Sequence, residues 1–492
     1  MSLQDIAALG KLLAQFLGLF ADCFRRPAGR LLLAVYVRGL LSSVQRKNVE
    51  AIALALRVAP RTLQRFLESI RWDEERLRDR CQQLAAAEHA DPQALGLIDE
   101  TGTTKSGGQT AGVKRQYNGN RGKVENCVNT VALSYASANF HCLLDARLYL
   151  PEEWASDPAR RKKTTFPTKS SSRRSRRSRS ILWTVRSPTG SASRLGRLTN
   201  CTAATVSSWT DSTSVAKRSW AKYRPTFTSG FPSRSCCGNG RKTRENEAAG
   251  PSIRAWHAAP PVPVKSRTWP VTHPTSASRR RSRIASRTLA AARRSGKSSG
   301  HTCWRKTHED GLVSRQGTLI VARNRLTGEM KYFFSNRVPG REGWTLRDLL
   351  RVAFGRWQVE ACFREAKEEL GWDHFECRGW RCIHRHLYVT ILSGLFCARV
   401  RQRLSPSNLV TSGELLTLEQ VRRAADVFLG AIGLPPQHRQ RQYEAELQRQ
   451  RYHQRRNAAA SRSHRKTRLQ HLHRLGIDPN QIKSVLPNQP PC

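Results

Sequence analysis

The chain has 492 residues, enough for two or three domains with a sizeable core. Its formal net charge of +48 indicates a polyanionic partner, most simply nucleic acid, and strongly salt-dependent binding. No apolar run approaches the roughly 20 residues of a membrane helix, and the odd number of cysteines, 13, lacks a small-scaffold pattern, which favours reduced thiols over a disulfide framework.

Residues 1–90 show apolar residues at helical spacing and predict an all-α N-terminal domain. Its first apolar stretch follows Asp5 without a basic n-region, so we expect no secretory signal. With a nucleic-acid partner, the protein is expected to be cytoplasmic and nucleoid-associated. Val49 to Leu56 and Thr62 to Ser69 flank a break at Ala59-Pro60 and resemble a helix-turn-helix. Either the second helix enters a DNA groove or the pair is an ordinary helical hairpin.

Residues 91–163 predict β-strands, one of which carries the acidic residue Asp99. Leu95 to Ile98 predict a short buried strand that ends in Asp99, and a polar, Gly-rich loop follows it. A strand end fixes a carboxylate that faces a cleft, although such an Asp is often only a turn or cap residue. Two further runs, Cys127 to Tyr135 and Phe140 to Tyr149, predict an antiparallel hairpin. Before them, the cations Lys114 and Arg115 lie near Tyr117, which suits phosphate and base contacts.

The amino-acid composition changes abruptly at residues 164–300. The stretch has 28 Lys and Arg but only three acids, and it lacks apolar periodicity. One interpretation is a disordered, basic, nucleic-acid-binding segment. The other is translation out of frame.

Residues 301–492 return to ordered patterns. Gly317 to Arg323 and Met330 to Ser335 predict a hairpin, Thr345 to Ala353 begin a helix, and Leu387 to Leu404 predict an apolar helix over the core sheet. Gln437 to His473 predict a basic helix or a disordered tail, either a solvated charged face or a phosphate contact. The spacing of four possible zinc ligands fits no standard pattern: Cys377, Cys382, His384 and His386.

Phe354 to Gly371 predict one uninterrupted helix. Arg356, Glu360 and Lys367 fall on one stripe of it, at i, i+4 and i+11. A carboxylate one turn from a guanidinium suits a metal-binding acid beside a phosphate backbone. The alternative is a solvated amphipathic helix with ordinary i,i+4 ion pairs.

This residue order resembles the Tyr-Arg-Glu-Lys signature of bacterial DDE-type insertion-sequence transposases, except that the signature's Tyr falls at Ala353. The strings IDETG, GVKRQYNG, GKVENC, DARLYLPEEW and FREAKEELGWDHFECRGW are also similar to that family. The resemblance implies an α/β fold, an RNase-H-like mixed sheet flanked by helices. Residues 91–163 and 301–405 would form the two parts of its catalytic core, and residues 406–492 a basic tail.

The resemblance also implies a function, DNA cleavage and strand transfer at the terminal repeats of an insertion sequence and in target DNA. Asp99 and Glu360 would be catalytic metal ligands for Mg²⁺ or Mn²⁺. Arg356, Lys367, Lys114 and Arg115 would bind DNA phosphates, and His384 and His386 would be structural or DNA-facing. The family function allows a homodimer and needs no membrane.

The family's second acid is missing where the resemblance would place it, near Leu198 and Thr199. If the third base of each codon is joined to the first two bases of the next, residues 195–204 permit Trp-Thr-Ala-Asp-Glu-x-Tyr-Gly, which resembles the second-acid motif. The same offset permits family-like text at Phe166 to Ser172 and Ile284 to Lys297. We therefore hypothesise that residues 164–300 lie between two compensating frameshifts and that the chain is defective in catalysis.

Two alternatives remain at this stage. A catalytically dead DNA-binding remnant would use the N-terminal helices and the basic segments. A general RNA-binding basic protein would show no preference for terminal repeats and leaves the family-like strings unexplained.

Overall fold

A computed structural model describes residues 1–137, 139–165, 296–306, 313–324, 327–335, 337–341, 343–405 and 416–479. The basic-segment and frameshift predictions fall almost entirely on residues 166–295, outside the described residues. The structure separates into two compact units. The first contains the described residues up to 165 and from 355 to 465, and the second contains those from 296 to 354 and from 466 onward.

The N-terminal region is helical, as its periodicity predicted. Polar caps and prolines set the starts of its helices: the Ser2 hydroxyl accepts from Asp5 N–H, and Pro27 and Pro60 occupy first-turn positions. An aromatic cluster of Phe24, Phe66 and Trp72 packs inside, with ring centroids 5.3–6.4 Å apart. The five helices are α1 (Leu3–Gly18), α2 (Pro27–Leu41), α3 (Val49–Ala55), α4 (Pro60–Glu68) and α5 (Glu74–Glu88).

An antiparallel sheet follows these helices. Its strands are β1 (Leu95–Thr104), β2 (Lys114–Asn118), β3 (Lys123–Ala136) and β4 (His141–Leu148). The long strand β3 is central: β1 pairs along one edge, while β2 and β4 pair with its two halves along the other. The predicted hairpin of the two apolar runs is confirmed as β3 and β4. Two short helices, α6 (Glu152–Ala155) and α7 (Pro158–Lys163), come after β4.

The prediction that the first strand ends at Asp99 is wrong. The strand β1 continues five residues further, so Asp99 lies in its middle and residues 100–104 are strand rather than loop. Threonines favour extended backbone, and Thr101 and Thr103 are buried. Gly102 is required inside the strand, because a Cβ there would lie 2.4 Å from Asn118 Oδ1.

The later helices of the first unit complete its core. The helix α9 (Trp357–Leu370) packs against β1, β3 and β4, and the apolar helix α10 (Trp380–Arg403) packs against β4, as predicted. Helix α11 (Leu418–Gly430) contacts α1 and α10. The long α12 (Pro436–Arg474), which belongs to the first unit up to Arg465, confirms the helical alternative for the basic tail.

The second unit contains a three-stranded antiparallel sheet, β5 (Gly296–Lys306), β6 (Val313–Asn324) and β7 (Met330–Ser335), with β6 in the centre. The predicted hairpin is confirmed as β6 and β7. Helix α8 (Leu346–Gly355) follows. The stretch Phe354 to Gly371 is therefore not one helix, because α8 ends at Gly355 and α9 begins at Trp357. Its predicted end is confirmed: Gly371 has φ +69°, a left-handed cap that suits glycine.

The mixed α/β composition agrees with the predicted fold class, while the RNase-H-like topology remains a prediction. Among the described helices, none is both long and apolar enough to cross a membrane. Among the described residues, the following cysteines are free thiols: Cys23, Cys81, Cys127, Cys142, Cys362, Cys377, Cys382 and Cys397.

Candidate active site

The helix α9 passes beside the middle of β1. At its start, Arg356 Nη2 lies 4.0 Å from Asp99 Oδ2. Toward its end, Lys367 Nζ donates to Thr101 Oγ1 at 2.6 Å. Asp99 and Thr101 are two residues apart and so lie on one face of the strand. Two of the predicted cations are therefore brought to the strand that carries the predicted acid.

Asp99 is held in a partly buried position, with its side chain 27% exposed. Its Oδ1 accepts from Glu100 N–H at 2.9 Å. Burial raises the pKa of the Asp99 carboxyl above its ordinary value, and this hydrogen bond and the charge of Arg356 offset only part of that shift. The neighbouring Glu100 also has a raised pKa, from burial and from the charge of Asp99. A bound cation would favour the ionised form of Asp99.

Glu360 occupies the first turn of α9 and is exposed. It follows Arg356 by four residues, so the two side chains share one stripe of the helix. Arg356 and Lys367, which contact Asp99 and Thr101 of β1, lie on the same helical stripe as Glu360. Glu360 has no ion-pair partner among the described residues.

Two carboxylates are suitable oxygen donors for Mg²⁺, but a complete site needs more ligands. Within the described segments, no cluster of three or more His, Cys, Asp or Glu residues could hold a metal ion. The carboxylates of Asp99 and Glu360 are thus suitable ligands for Mg²⁺, and the described residues add no third acid to them.

Lys367 is placed by burial and by Thr101. Burial lowers the pKa of its ammonium group, and the charge of Asp373 opposes that shift. Thr101 Oγ1 also accepts from Asn120 Nδ2 at 2.9 Å. Neither Thr101 nor Asn120 stood out in the sequence, because only the fold brings residues 19 positions apart onto one oxygen atom. The string IDETG contains Thr101, and Asn120 directly follows the string GVKRQYNG, so these strings were the available signal.

Lys114 and Arg115 lie on β2, and neither makes a described contact with Asp99 or Glu360. Lys114 forms an ion pair with Glu153, which raises the pKa of the lysine. Arg115 is exposed, and no ion pair is found for it among the described residues. The two cations therefore differ: Lys114 is paired with Glu153 of the same chain, and Arg115 is available to bind a phosphate.

The histidines after α9 are structural. The Tyr36 hydroxyl lies 2.8 Å from His386 Nδ1, and His386 Nε2 lies 3.0 Å from Gly371 O. His384 Nδ1 lies 2.8 Å from Trp380 O. Burial lowers the pKa of His384 to about 3 and that of His386 to about 4, so both rings are neutral at pH 7. Of their two predicted roles, the structural one is confirmed.

Comparison with known proteins supports the family resemblance for the part of the chain that carries Asp99. Residues 19–179 match the sequence model of a family described as DDE superfamily endonuclease. A probable transposase for insertion sequence element IS701 from Microchaete diplosiphon is 33% identical over 116 residues, which are 23% of this chain and 30% of that relative. The chain thus aligns with less than a third of the curated relative's length. The predicted resemblance to DDE-type insertion-sequence transposases is confirmed, and membership of the Tyr-Arg-Glu-Lys signature group stays a prediction.

Proposed function

From the resemblance to DDE-type transposases, we propose that this chain is an insertion-sequence transposase whose reaction class is the cutting and joining of DNA at element ends by phosphoryl transfer. The observation that carries the proposal is the passage of α9 beside β1. It brings Arg356 to Asp99 and Lys367 to Thr101, with Glu360 on the same helical stripe.

Each residue has a role in this proposal. Asp99 and Glu360 would hold the divalent cations, and a bound pair of Mg²⁺ ions supplies activation of the attacking hydroxyl and stabilisation of the leaving oxygen. Arg356 is 61% exposed and can reach a phosphate oxygen beside Asp99. Lys367 is held by Thr101 at the next position of the same strand face and adds positive charge there. DNA is the proposed partner, and Arg115 is a further phosphate contact.

We also propose that this particular chain is catalytically defective. Two acids bind divalent cations more weakly than three, and the described residues add none to Asp99 and Glu360. The frameshift hypothesis gives the reason: the second acid would be encoded near residues 198–204 in another frame. The nucleotide sequence tests this directly, since third bases that forbid Trp-Thr-Ala-Asp-Glu-x-Tyr-Gly would eliminate the hypothesis.

The second candidate function is a DNA-binding remnant without catalysis. It is favoured by the net charge of +48 and by the pair α3 and α4, whose second helix exposes Arg61 and Arg65. As a helix-turn-helix, this pair would bind the terminal repeats and leave strand cleavage undone.

A nicking assay combined with a thermal-shift measurement separates the two candidates, because only a chain with the Asp99–Glu360 metal site should be stabilised by Mg²⁺ through those acids. The purified full chain is incubated with a supercoiled plasmid that carries the element ends, in Mg²⁺ or in EDTA. Mg²⁺-dependent nicking that is lost in Asp99→Asn and Glu360→Gln would establish an active transposase. We expect no nicking, retained end binding, and a small Mg²⁺-dependent rise in unfolding temperature that both substitutions remove.

The matched control is Glu50→Gln. Glu50, like Glu360, is an exposed acid in the first turn of a helix, but it lies on α3. Its replacement should leave the Mg²⁺-dependent rise unchanged. If all three variants keep the rise, Asp99 and Glu360 do not bind the ion, and the proposed metal site is wrong.

A further inference from the structure

The hairpin formed by β2 and the first half of β3 folds back onto β1. In its turn, Asn120 Nδ2 donates to Thr101 Oγ1 at 2.9 Å and to Gly102 O at 2.8 Å. The Asn118 side chain lies against the backbone of Gly102. The turn of the hairpin is thereby fixed two residues from Asp99 along the strand.

One face of this hairpin is turned inward and is anchored by Glu125. The Glu125 carboxylate accepts from Thr104 Oγ1 at 2.8 Å and from Asn118 Nδ2 at 2.7 Å. Arg121 and Lys123 lie 3.6 Å and 3.4 Å from the same carboxylate. Since side chains alternate along a strand, the residues between these positions lie on the other face.

The outward face presents an aromatic ring beside a cation. Tyr117 and Val124 are directly opposite each other in the strand register and are 45% and 54% exposed. Arg115, two residues before Tyr117, is also exposed. Hairpin residues 114–127 contain four cations and one acid, and that acid is the anchored Glu125. Exposed aromatic rings beside cations are how sequence-tolerant proteins bind single-stranded DNA, by base stacking and phosphate contact.

We propose that this outward face is a platform for single-stranded DNA next to the Asp99 site, where Tyr117 stacks on a base and Arg115 binds the adjoining phosphate. The proposal rests on the proposed function, because the strand is taken to be the one that leaves the Asp99–Glu360 site. The simpler account is that Tyr117 and Val124 form only a stabilising cross-strand pair. The two accounts differ in whether the aromatic ring matters to DNA.

Two substitutions of Tyr117 separate these accounts. Tyr117→Leu keeps an apolar contact with Val124 but removes the ring, and Tyr117→Phe keeps the ring. Binding of a fluorescein-labelled dT20 strand to the full chain is measured by anisotropy in EDTA. We expect Tyr117→Leu to raise the Kd about tenfold and Tyr117→Phe to leave it within about twofold. Arg115→Ala should lower the slope of log K against log[salt] by about 0.7.

Tyr332→Leu is the matched control, because Tyr332 is a strand tyrosine that is 57% exposed on the other sheet. It should bind dT20 as the wild type does. Wild-type affinity in Tyr117→Leu would overturn the proposal, as would equal weakening by Leu and Phe or an equal loss on a 20-base-pair duplex. The dT20 measurement is made in EDTA and does not depend on a metal-bound Asp99–Glu360 site, so failure of the proposed catalytic site and failure of the platform are distinguishable.

Discussion

Glu365 shows how a single ionised side chain can hold the helix of the candidate site. It lies on α9, where its Oε2 is 2.8 Å from His141 Nε2 on β4, and Arg401 of α10 approaches it at 3.8 Å. Burial alone would raise the pKa of Glu365, but the charge and hydrogen bond of His141, together with Arg401, lower it to about 2. The ionised carboxylate therefore stabilises the packing of α9 on the sheet.

This shift predicts a pH dependence of stability. A carboxyl whose pKa is lowered on folding contributes stability above its ordinary pKa of about 4.3, and the contribution is lost as the pH falls toward 2. A difference of roughly two pKa units corresponds to about 3 kcal/mol. We expect Glu365→Gln to lower the free energy of unfolding in urea by up to that amount at pH 7, and to flatten its fall between pH 4.5 and 2.

Glu50→Gln supplies the comparison for this experiment, because it removes an exposed acid of the same type and should change the unfolding free energy by less than about 0.5 kcal/mol. If the stability of Glu365→Gln follows the wild-type pH curve in parallel down to pH 2, the carboxylate is not the titrating group.

At single positions, the sequence predicted which charged side chains matter better than it predicted the contacts that those side chains make. Asp99 was identified from the end of an apolar run, but its place in the middle of β1 follows from the pairing of residues 100–104 with β3, which forms only on folding. Lys114 looked like a phosphate ligand, and its partner Glu153 lies 39 residues away. Local sequence patterns do not predict contacts between residues that are far apart in the chain.

A buried arginine contributes to the contact between α10 and α4. Arg385 is fully buried, and its guanidinium donates to the carbonyl oxygens of Phe66, Leu67 and Ile70 at 2.8–3.1 Å. It also pairs with Glu74 at 3.1 Å. The last carbonyl groups of a helix lack partners within the helix, so this side chain completes the C-terminal end of α4 and connects the N-terminal helices to α10.

Arg385→Met should therefore be strongly destabilising. It leaves carbonyl oxygens without a donor and removes the buried partner of Glu74, a class of change that costs about 3–5 kcal/mol. Chemical denaturation followed by circular dichroism measures the loss. Methionine has a similar length and is apolar, so a cavity contributes little to the expected effect.

Arg381→Met tests whether the burial of Arg385 matters, since Arg381 contacts the same Glu74 at 2.7 Å but is 42% exposed. It should cost no more than about 1 kcal/mol. Equal losses in the two variants would mean that Glu74, rather than the helix end, is the sensitive group.

At the level of elements, helices and hairpins followed from periodicity and from Pro and Gly positions, and most of their bounds were close. The contact of the β2–β3 hairpin with β1 could not be predicted from the sequence, because it depends on hydrogen bonds between residues that are distant in the chain. The split at Gly355 and Arg356 was also missed, since no helix-breaking proline marks it. Periodicity specifies which face is buried and leaves open where a strand bends.

For the whole molecule, the net charge of +48 is distributed unevenly among the described elements. Helix α12 contains eleven Lys and Arg but only two acids over 39 residues. Its first half is fixed to α11, since Arg423 lies 3.2 Å from Glu446 and Gln450 donates to Gln420 O. The following turns are mostly exposed. A polar, cationic helix surface of this kind is suited to the DNA backbone.

We therefore expect α12 to carry part of the salt dependence of DNA binding. Neutralising three of its exposed arginines should lower the slope of log K against log[salt] for duplex DNA by up to about 2.7, since each phosphate contact contributes about 0.9. The triple variant is Arg451→Gln, Arg455→Gln and Arg462→Gln, and the slope is measured by anisotropy between about 50 and 200 mM KCl, a range over which log K falls linearly with log[salt] and the affinity changes by orders of magnitude.

The control variant removes the same charge elsewhere, at arginines that are already paired with acids: Arg76→Gln, Arg80→Gln and Arg399→Gln. If α12 touches the phosphates, the control should change the slope by much less, because counterions are released only where cations replace them on DNA. Equal changes in the two triple variants would show that net charge acts at a distance and that α12 is a solvated face, which was the other interpretation of its sequence.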